Sequence, residues 1–225
     1  MQLLEVVLMA PKSKTSRASS QKTPNVYLWI PNLIGYGRIA LTITAVYYAF
    51  SCWKTFVVCY SVGAILDLFD GMAARHFGQS SRFGAVLDMV TDRVGTNMLY
   101  IVLTALRPDL FFWFAMLAGA DYSSHWAQMY ASATTGTHHK VLDKDRNWLL
   151  RFYYGNKPFM FLNCVGQETF LIALYVYSQG VLVETAGYVM LAAAPFGGIK
   201  QIINLIQLAD AMKQIVKVDI ADIAK

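Results

Sequence analysis

The chain has 225 residues, of which 56% are hydrophobic and only 15% charged, with a mean hydropathy of +0.40; this is too apolar for an ordinary soluble domain, and the apolar residues arrive in blocks of about 20, the length that crosses a bilayer. The formal charge of +5 does not indicate a nucleic-acid partner, because the basic residues lie in tails and loops and not along one face with interleaved aromatics. Three scattered cysteines, Cys52, Cys59 and Cys164, suggest neither a disulfide framework nor a zinc site and read as small core residues.

The chain begins with a weakly apolar stretch carrying Glu5 where a signal peptide would be basic, and Met9 offers an alternative start. Residues 1–24, with Lys12, Lys14, Arg17 and Lys22 among Ser, Thr and Gln, read as a disordered basic tail. Asn25 to Ile30 alternates aromatic and aliphatic residues before Pro31, which suits a short piece lying at the membrane interface with Tyr27 and Trp29 as anchors. Six spans then follow in an all-α, polytopic domain over residues 25–208. They run about 31–50, 55–74, 84–106, 109–133, 158–177 and 185–208. Gly35 and Gly37 in the first span permit close helix packing. The longest loop, Thr134 to Lys157, holds His138 and His139, which read as solvated, together with Lys140, Lys144, Arg146 and Arg151. Residues 209–225 form a C-terminal tail, and the stretch Ile199 to Val218 is amphipathic enough to lie along a surface. With a cytosolic N-terminus, the basic tail, the turn around Arg75, the long loop and the C-terminus share one side, as the positive-inside rule expects.

Spans two and three carry the chemistry. Asp67-Leu68-Phe69-Asp70-Gly71-Met72-Ala73-Ala74-Arg75 is followed, after eight residues, by Gly84-Ala85-Val86-Leu87-Asp88-Met89-Val90-Thr91-Asp92. Ionisable groups in apolar spans are costly and mark function by default. On helices, Asp67 and Asp70 share one face and Asp88 and Asp92 share another, so neighbouring helices would bring four carboxylates together. Such anions repel unless protonated or neutralised by cations. An all-oxygen set suits Mg2+ or Mn2+. Gly71 leaves backbone open to a ligand, and Arg75 offers a fork for phosphate oxygens. The combination describes a diphosphate site, at the end of the bundle to which the Arg75 turn belongs. The alternative is a set of buried ion pairs tying the helices together, for which Arg75 alone is too little charge.

The eight fixed residues of this pattern, spread over 26 positions, resemble the complete signature of the CDP-alcohol phosphatidyltransferase family. Flanking stretches, Val26 to Arg38, Arg82 to Arg93, Ser124-His125-Trp126 and Leu150 to Tyr154, resemble its eukaryotic branch that uses free inositol. The resemblance implies transfer of a phosphatidyl group from CDP-diacylglycerol to myo-inositol with release of CMP. It implies a first metal on Asp67, Asp70 and Asp88, and a second on Asp67, Asp88 and Asp92. It places Gly71, Ala74, Arg75, Ser81 and Gly84 at the lipid-nucleotide head group and makes Asp92 the general base. It also implies a homodimer in the endoplasmic reticulum membrane, with the site facing the cytosol. For the inositol pocket, Arg38, Asp121 and His125 are candidates, with Glu168 and Lys200 also inside the spans. The plainer reading of the last four is that Asp121, His125, Glu168 and Lys200 are interhelical ion pairs and hydrogen bonds. Rival functions are an enzyme of the same family with serine, glycerol phosphate, choline or ethanolamine as acceptor, a prenyltransferase, and a cation transporter.

Overall fold

A computed structural model describes residues 25–135 and 147–224. The expectations for the basic tail before Asn25, for His138, His139, Lys140, Lys144 and Arg146, and for Lys225 therefore lie outside the described residues. Among the described residues seven α-helices follow in order: α1 (Ile30–Tyr48), α2 (Trp53–His76), α3 (Arg82–Leu106), α4 (Phe111–Thr135), α5 (Trp148–Gly155), α6 (Lys157–Ser178) and α7 (Val183–Ile223). Among the described residues there is no strand. The entry piece before α1 is a single 3-10 turn over Val26–Leu28, capped by the Asn25 side chain.

Two features depart from the sequence reading. A short helix, α5, interrupts the expected long loop: the Asn147 side chain accepts from the Leu149 N–H at its start, and Leu150 and Tyr153 are buried against Ile203 of α7. α7 runs unbroken through residues 209–223, where a tail was expected, and contains Pro195 in its interior. α2, α6 and α7 are long and apolar enough to cross a membrane. α1, α3 and α4 have 19, 25 and 25 residues but, interrupted by polar side chains, fall short of that apolarity.

That polarity points inward. Asn32 and Arg38 of α1, Thr91, Thr96 and Asn97 of α3, and Asp121, Ser124 and Gln128 of α4 are buried, while Ile43, Tyr47, Ile101, Trp126 and Leu191 lie on the outside. Apolar outer faces around a polar interior suit a helix bundle in lipid. α1 packs along α2 and against α3, α6 along α7, and α7 also against α4. The larger apolar core sits at one end, where α1 turns into α2 and α6 into α7. There Phe56 stacks on Tyr175 at 3.9 Å, and the Tyr175 hydroxyl donates to the Ala49 carbonyl at 2.7 Å. Beside it, Arg107 forks onto Asp109 at 2.9 and 2.6 Å, and these hydrogen bonds hold the Asp109 carboxyl below its ordinary range. Of the three cysteines, Cys59 is half-buried and packs against this core as expected, whereas Cys52 is half-buried and Cys164 is exposed beside a cavity, so for Cys164 the expected core role does not hold.

At the opposite end, α2 turns into α3 over a few residues. Gly78 adopts φ +62°, and the Gln79 N–H reaches back to the Ala74 carbonyl at 2.9 Å, closing the end of α2 as helices ending on a left-handed glycine do. Gln79 in turn accepts from the Ile30 N–H at 2.9 Å, which ties this turn to the start of α1. Ser81 caps α3, its Oγ accepting from the Gly84 N–H at 2.9 Å.

The α6–α7 seam depends on Gly166. A β-carbon there would lie 2.4 Å from Phe196 Cβ, which sits next to the backbone and cannot swing away. Gly166→Ala is expected to cost ~1–3 kcal/mol by overpacking and to lower the melting temperature in detergent, and Phe196→Ala, which keeps the β-carbon at 2.4 Å, is expected not to rescue it. Gly198→Ala, with nothing within 4 Å of its added β-carbon, is expected to be neutral or slightly stabilising in the same measurement.

Candidate active site

The four signature acids do converge, and they converge on Arg38. This arginine lies on α1 and is 4% exposed. One guanidinium nitrogen, Nη1, contacts Asp70 Oδ2 at 2.6 Å and Asp88 Oδ1 at 3.1 Å; the other, Nη2, contacts Asp67 Oδ1 at 2.8 Å and donates to Asp92 Oδ1. Two acids come from α2 and two from α3, and the α1 side chain is the piece they share. Nε of Arg38 is buried and has no hydrogen-bond partner among the described residues. The alternative of buried ion pairs tying the helices together, disfavoured in the sequence because Arg75 alone is too little charge, is present with Arg38 as its cation, and Arg38, a candidate for the inositol pocket, also borders a cavity.

A second guanidinium stands behind the first. Arg93, one residue beyond Asp92, lies 3.5 Å from Asp92 Oδ2 and donates to Asp121 Oδ1 at 2.9 Å. Asp121 is fully buried and also accepts from Asn97 at 3.2 Å and Asn204 at 3.3 Å. His125 Nδ1 lies 2.9 Å from the Asp121 carbonyl and 3.6 Å from its carboxylate. Asp121 and His125 are therefore together, as i, i+4 spacing requires, but inside a hydrogen-bonded network, and neither of the two lines a cavity described below. Arg93 was missed by sequence reasoning, although a charged residue in an apolar span is itself a signal.

Asp67, Asp70 and Asp88 each present a carboxylate oxygen within 4.8 Å of the others. Three hard oxygens at that separation fit a divalent cation of the Mg2+ or Mn2+ kind. Two guanidiniums against four carboxylates, with Arg93 shared with Asp121, leave a formal excess of negative charge for such an ion to meet.

Two cavities meet at this cluster. The first, about 460 Å3, is lined by Asp70 and Asp88 with Gly71, Ala74, Ser81 and Gly84. Four of the five expected head-group residues are thereby in one cleft. Arg75 does not line it but lies alongside, its guanidinium 3.5 Å from where a β-carbon on Gly71 would sit, exposed and without an ion pair among the described residues. Gly84 has a packing reason as well, since a β-carbon would lie 3.0 Å from Asn32 Oδ1 and 3.1 Å from Ser81 Oγ. The second cavity, about 450 Å3, is lined by Asp67, Asp92 and Arg38, with Arg93, Glu168 and Lys200. Glu168 accepts from the Tyr60 hydroxyl at 2.7 Å and Thr96 Oγ1 at 3.1 Å, so for this acid the interhelical hydrogen bonds are present while it still borders open space.

Residues 28–198 match the family model described as CDP-alcohol phosphatidyltransferase. The chain is similar to proteins named CDP-diacylglycerol--inositol 3-phosphatidyltransferase from Schizosaccharomyces pombe, 39% identical with 90% of this chain and 94% of the relative covered, and from Homo sapiens, 38% identical with 89% and 97% covered. A protein named probable CDP-diacylglycerol--inositol 3-phosphatidyltransferase 2, from Arabidopsis thaliana, is 41% identical with 88% and 94% covered. No solved structure matches. A signature gathered around one guanidinium, and a family match that spans it, agree: the chain belongs to the CDP-alcohol phosphatidyltransferase family.

Proposed function

We propose that the protein transfers the phosphatidyl group of CDP-diacylglycerol to myo-inositol, producing phosphatidylinositol and CMP. The observation that carries this reading is the convergence of four carboxylates from α2 and α3 at the junction of two cavities, one of them lined by Gly71, Ala74, Ser81 and Gly84. The names of the relatives supply the acceptor. In this reading the first cavity holds the nucleotide and diphosphate against the open backbone of Gly71, with Arg75 reaching phosphate oxygens from its edge. Asp67, Asp70 and Asp88 would hold one divalent ion, and Asp67, Asp88 and Asp92 a second. Such ions, when bound, neutralise charge on the diphosphate and the departing CMP.

The protein's own groups do the rest. An inositol hydroxyl in the second cavity attacks the phosphorus that carries the diacylglycerol. Its proton passes to the Asp92 carboxylate, the new P–O bond forms, and the bond from that phosphorus to CMP breaks. A carboxylate in hydrogen-bond reach of the hydroxyl is what a weak nucleophile needs. Arg93, held by Asp121, keeps Asp92 oriented from behind.

We read the chain as a six-span protein, α1, α2, α3, α4, α6 and α7 each crossing once, in the endoplasmic reticulum membrane. Arg75, Arg82, Arg151, Lys157 and Lys213 group at the site's end of the bundle, and Lys54 and Arg107 at the other. That asymmetry supports a cytosolic site. Residues 25–208 form the catalytic domain, and the part of α7 beyond them extends from it.

Two measurements test this. Purified protein given CDP-diacylglycerol and Mn2+ or Mg2+ is expected to release CMP only when inositol is added, and Asp92→Asn to lose at least ~100-fold of that rate, the lower range for removal of a general base. Release with serine or glycerol 3-phosphate in place of inositol would keep the chemistry and overturn the acceptor; release with no alcohol at all would overturn transfer. Arg38→Met leaves the carboxylates without their buried guanidinium, a loss on the order of 3 kcal/mol. In EDTA its melting temperature is expected to fall well below that of the native protein, with millimolar Mn2+ restoring much of the difference. Equal melting temperatures in EDTA would show that Arg38 does not hold the cluster.

A further inference from the structure

The second cavity carries polar groups that the transfer step does not use. Gln167 of α6 is 3% exposed, lines the cavity, and has no hydrogen-bond partner at Oε1 among the described residues. Lys200 of α7 is 6% exposed, lines the same cavity, and makes no ion pair among the described residues; its Nζ lies 5.6 Å from the centroid of the Tyr153 ring. Glu168, beside Gln167, is bonded only by the neutral hydroxyls of Tyr60 and Thr96 and has no cation in contact among the described residues. The wall therefore offers a carbonyl without a donor, an ammonium without an anion and a carboxylate without a cation. Buried polar groups are satisfied in native proteins, and an exception that borders a cavity asks for a ligand to complete it.

The chemistry of the wall selects the ligand. A hydroxyl both donates and accepts, so a polyol can donate to Gln167 Oε1 and to Glu168 and accept from Lys200. A phosphate dianion only accepts; it would face Glu168, Asp67 and Asp92 from the same cavity with Lys200 as the one uncommitted cation among the described residues that line it. The position is also apt. Displacement at phosphorus places the attacking and leaving oxygens roughly in line, and the second cavity lies across the acid cluster from the one that carries the signature glycines. We propose that Gln167, Glu168 and Lys200 form the wall that recognises the acceptor, selecting a neutral polyol over a phosphorylated alcohol. The proposal rests on the phosphatidyl-transfer reading above and adds to it which residues read the acceptor.

The test is steady-state kinetics of the detergent-purified full chain with inositol and CDP-diacylglycerol varied separately, CMP binding by calorimetry, and thermal melting. Gln167→Met and Lys200→Met are each expected to raise the inositol KM roughly tenfold, the loss of about one hydrogen bond, while the CDP-diacylglycerol KM and CMP binding stay within twofold. Gln167→Met, which removes an unpaired buried carbonyl, is expected to melt no lower than the native protein, a result that a purely structural role for Gln167 would not give. Gln167→Asn, whose amide is one methylene short, is expected to fall between the two in inositol KM. Unchanged inositol KM in both methionine variants overturns the proposal and leaves the transfer reading intact. Parallel loss of inositol and nucleotide binding overturns it as well, because the residues would then support the fold. Native protein that uses inositol phosphate as readily as inositol refutes the selection of a neutral acceptor.

Discussion

Everything at the working end of this protein depends on one guanidinium surrounded by four carboxylates. α2 and α3 bring two acids each to the same few ångströms, a placement that mutual repulsion in a low-dielectric interior would oppose. Arg38 answers that repulsion by contacting all four at once, with two nitrogens each shared between an acid of α2 and an acid of α3. α1 is thereby the middle member of the site, packing along α2 and against α3 while its side chain joins their charges. Removing one partner of a buried ion pair is far more damaging than replacing the whole set with apolar groups. The excess of negative charge left after Arg38 and Arg93 makes the same cluster a place for divalent ions, so one arrangement answers both to folding and to chemistry.

The rest of the bundle keeps that arrangement in register. Apolar packing is concentrated at the far end, where Phe56, Tyr60, Leu103, Leu171 and Tyr175 fill the space between helices. Polar residues take the inside near the site, and the outer faces carry Ile, Leu, Trp and Tyr. The turn from α2 to α3 has little freedom: Gly78 closes one helix, Ser81 opens the next, and Gln79 is tied to the first residue of α1. Rotation of α3 about its axis would move Asp88 and Asp92 together, and this turn is what sets that rotation.

Much of this was legible in the sequence because spacing is local information. Asp67 with Asp70, and Asp88 with Asp92, stand on helical faces at separations that survive any packing, and the apolar blocks locate α1 to α4 and α6 to within a few residues of their observed ends. What was not legible depends on partners distant in the chain. Nothing in the stretch around Arg38 says that it meets acids 29 to 54 residues away. Asp121 and His125 looked like pocket residues because their i, i+4 spacing is real, yet their environment is decided by Arg93 and Asn204. Gln167 drew no notice because an amide in an apolar span carries no charge to flag it. Helix α5 was missed for another reason: a short amphipathic helix takes its stability from the surface it packs on, which composition does not reveal.

The division of open space into two cavities has a consequence for fidelity. A volume of about 450 Å3 beside Asp92 has room for several water molecules, and water has an O–H bond at least as available to a carboxylate as any sugar alcohol. Attack by such a water would turn an activated lipid into phosphatidic acid and CMP to no purpose, so a transferase must keep the step from proceeding until the alcohol is in place. A bulky, ring-shaped acceptor that fills the cavity excludes this competitor simply by occupying the space, so the same walls that choose the alcohol also decide how much activated lipid is wasted.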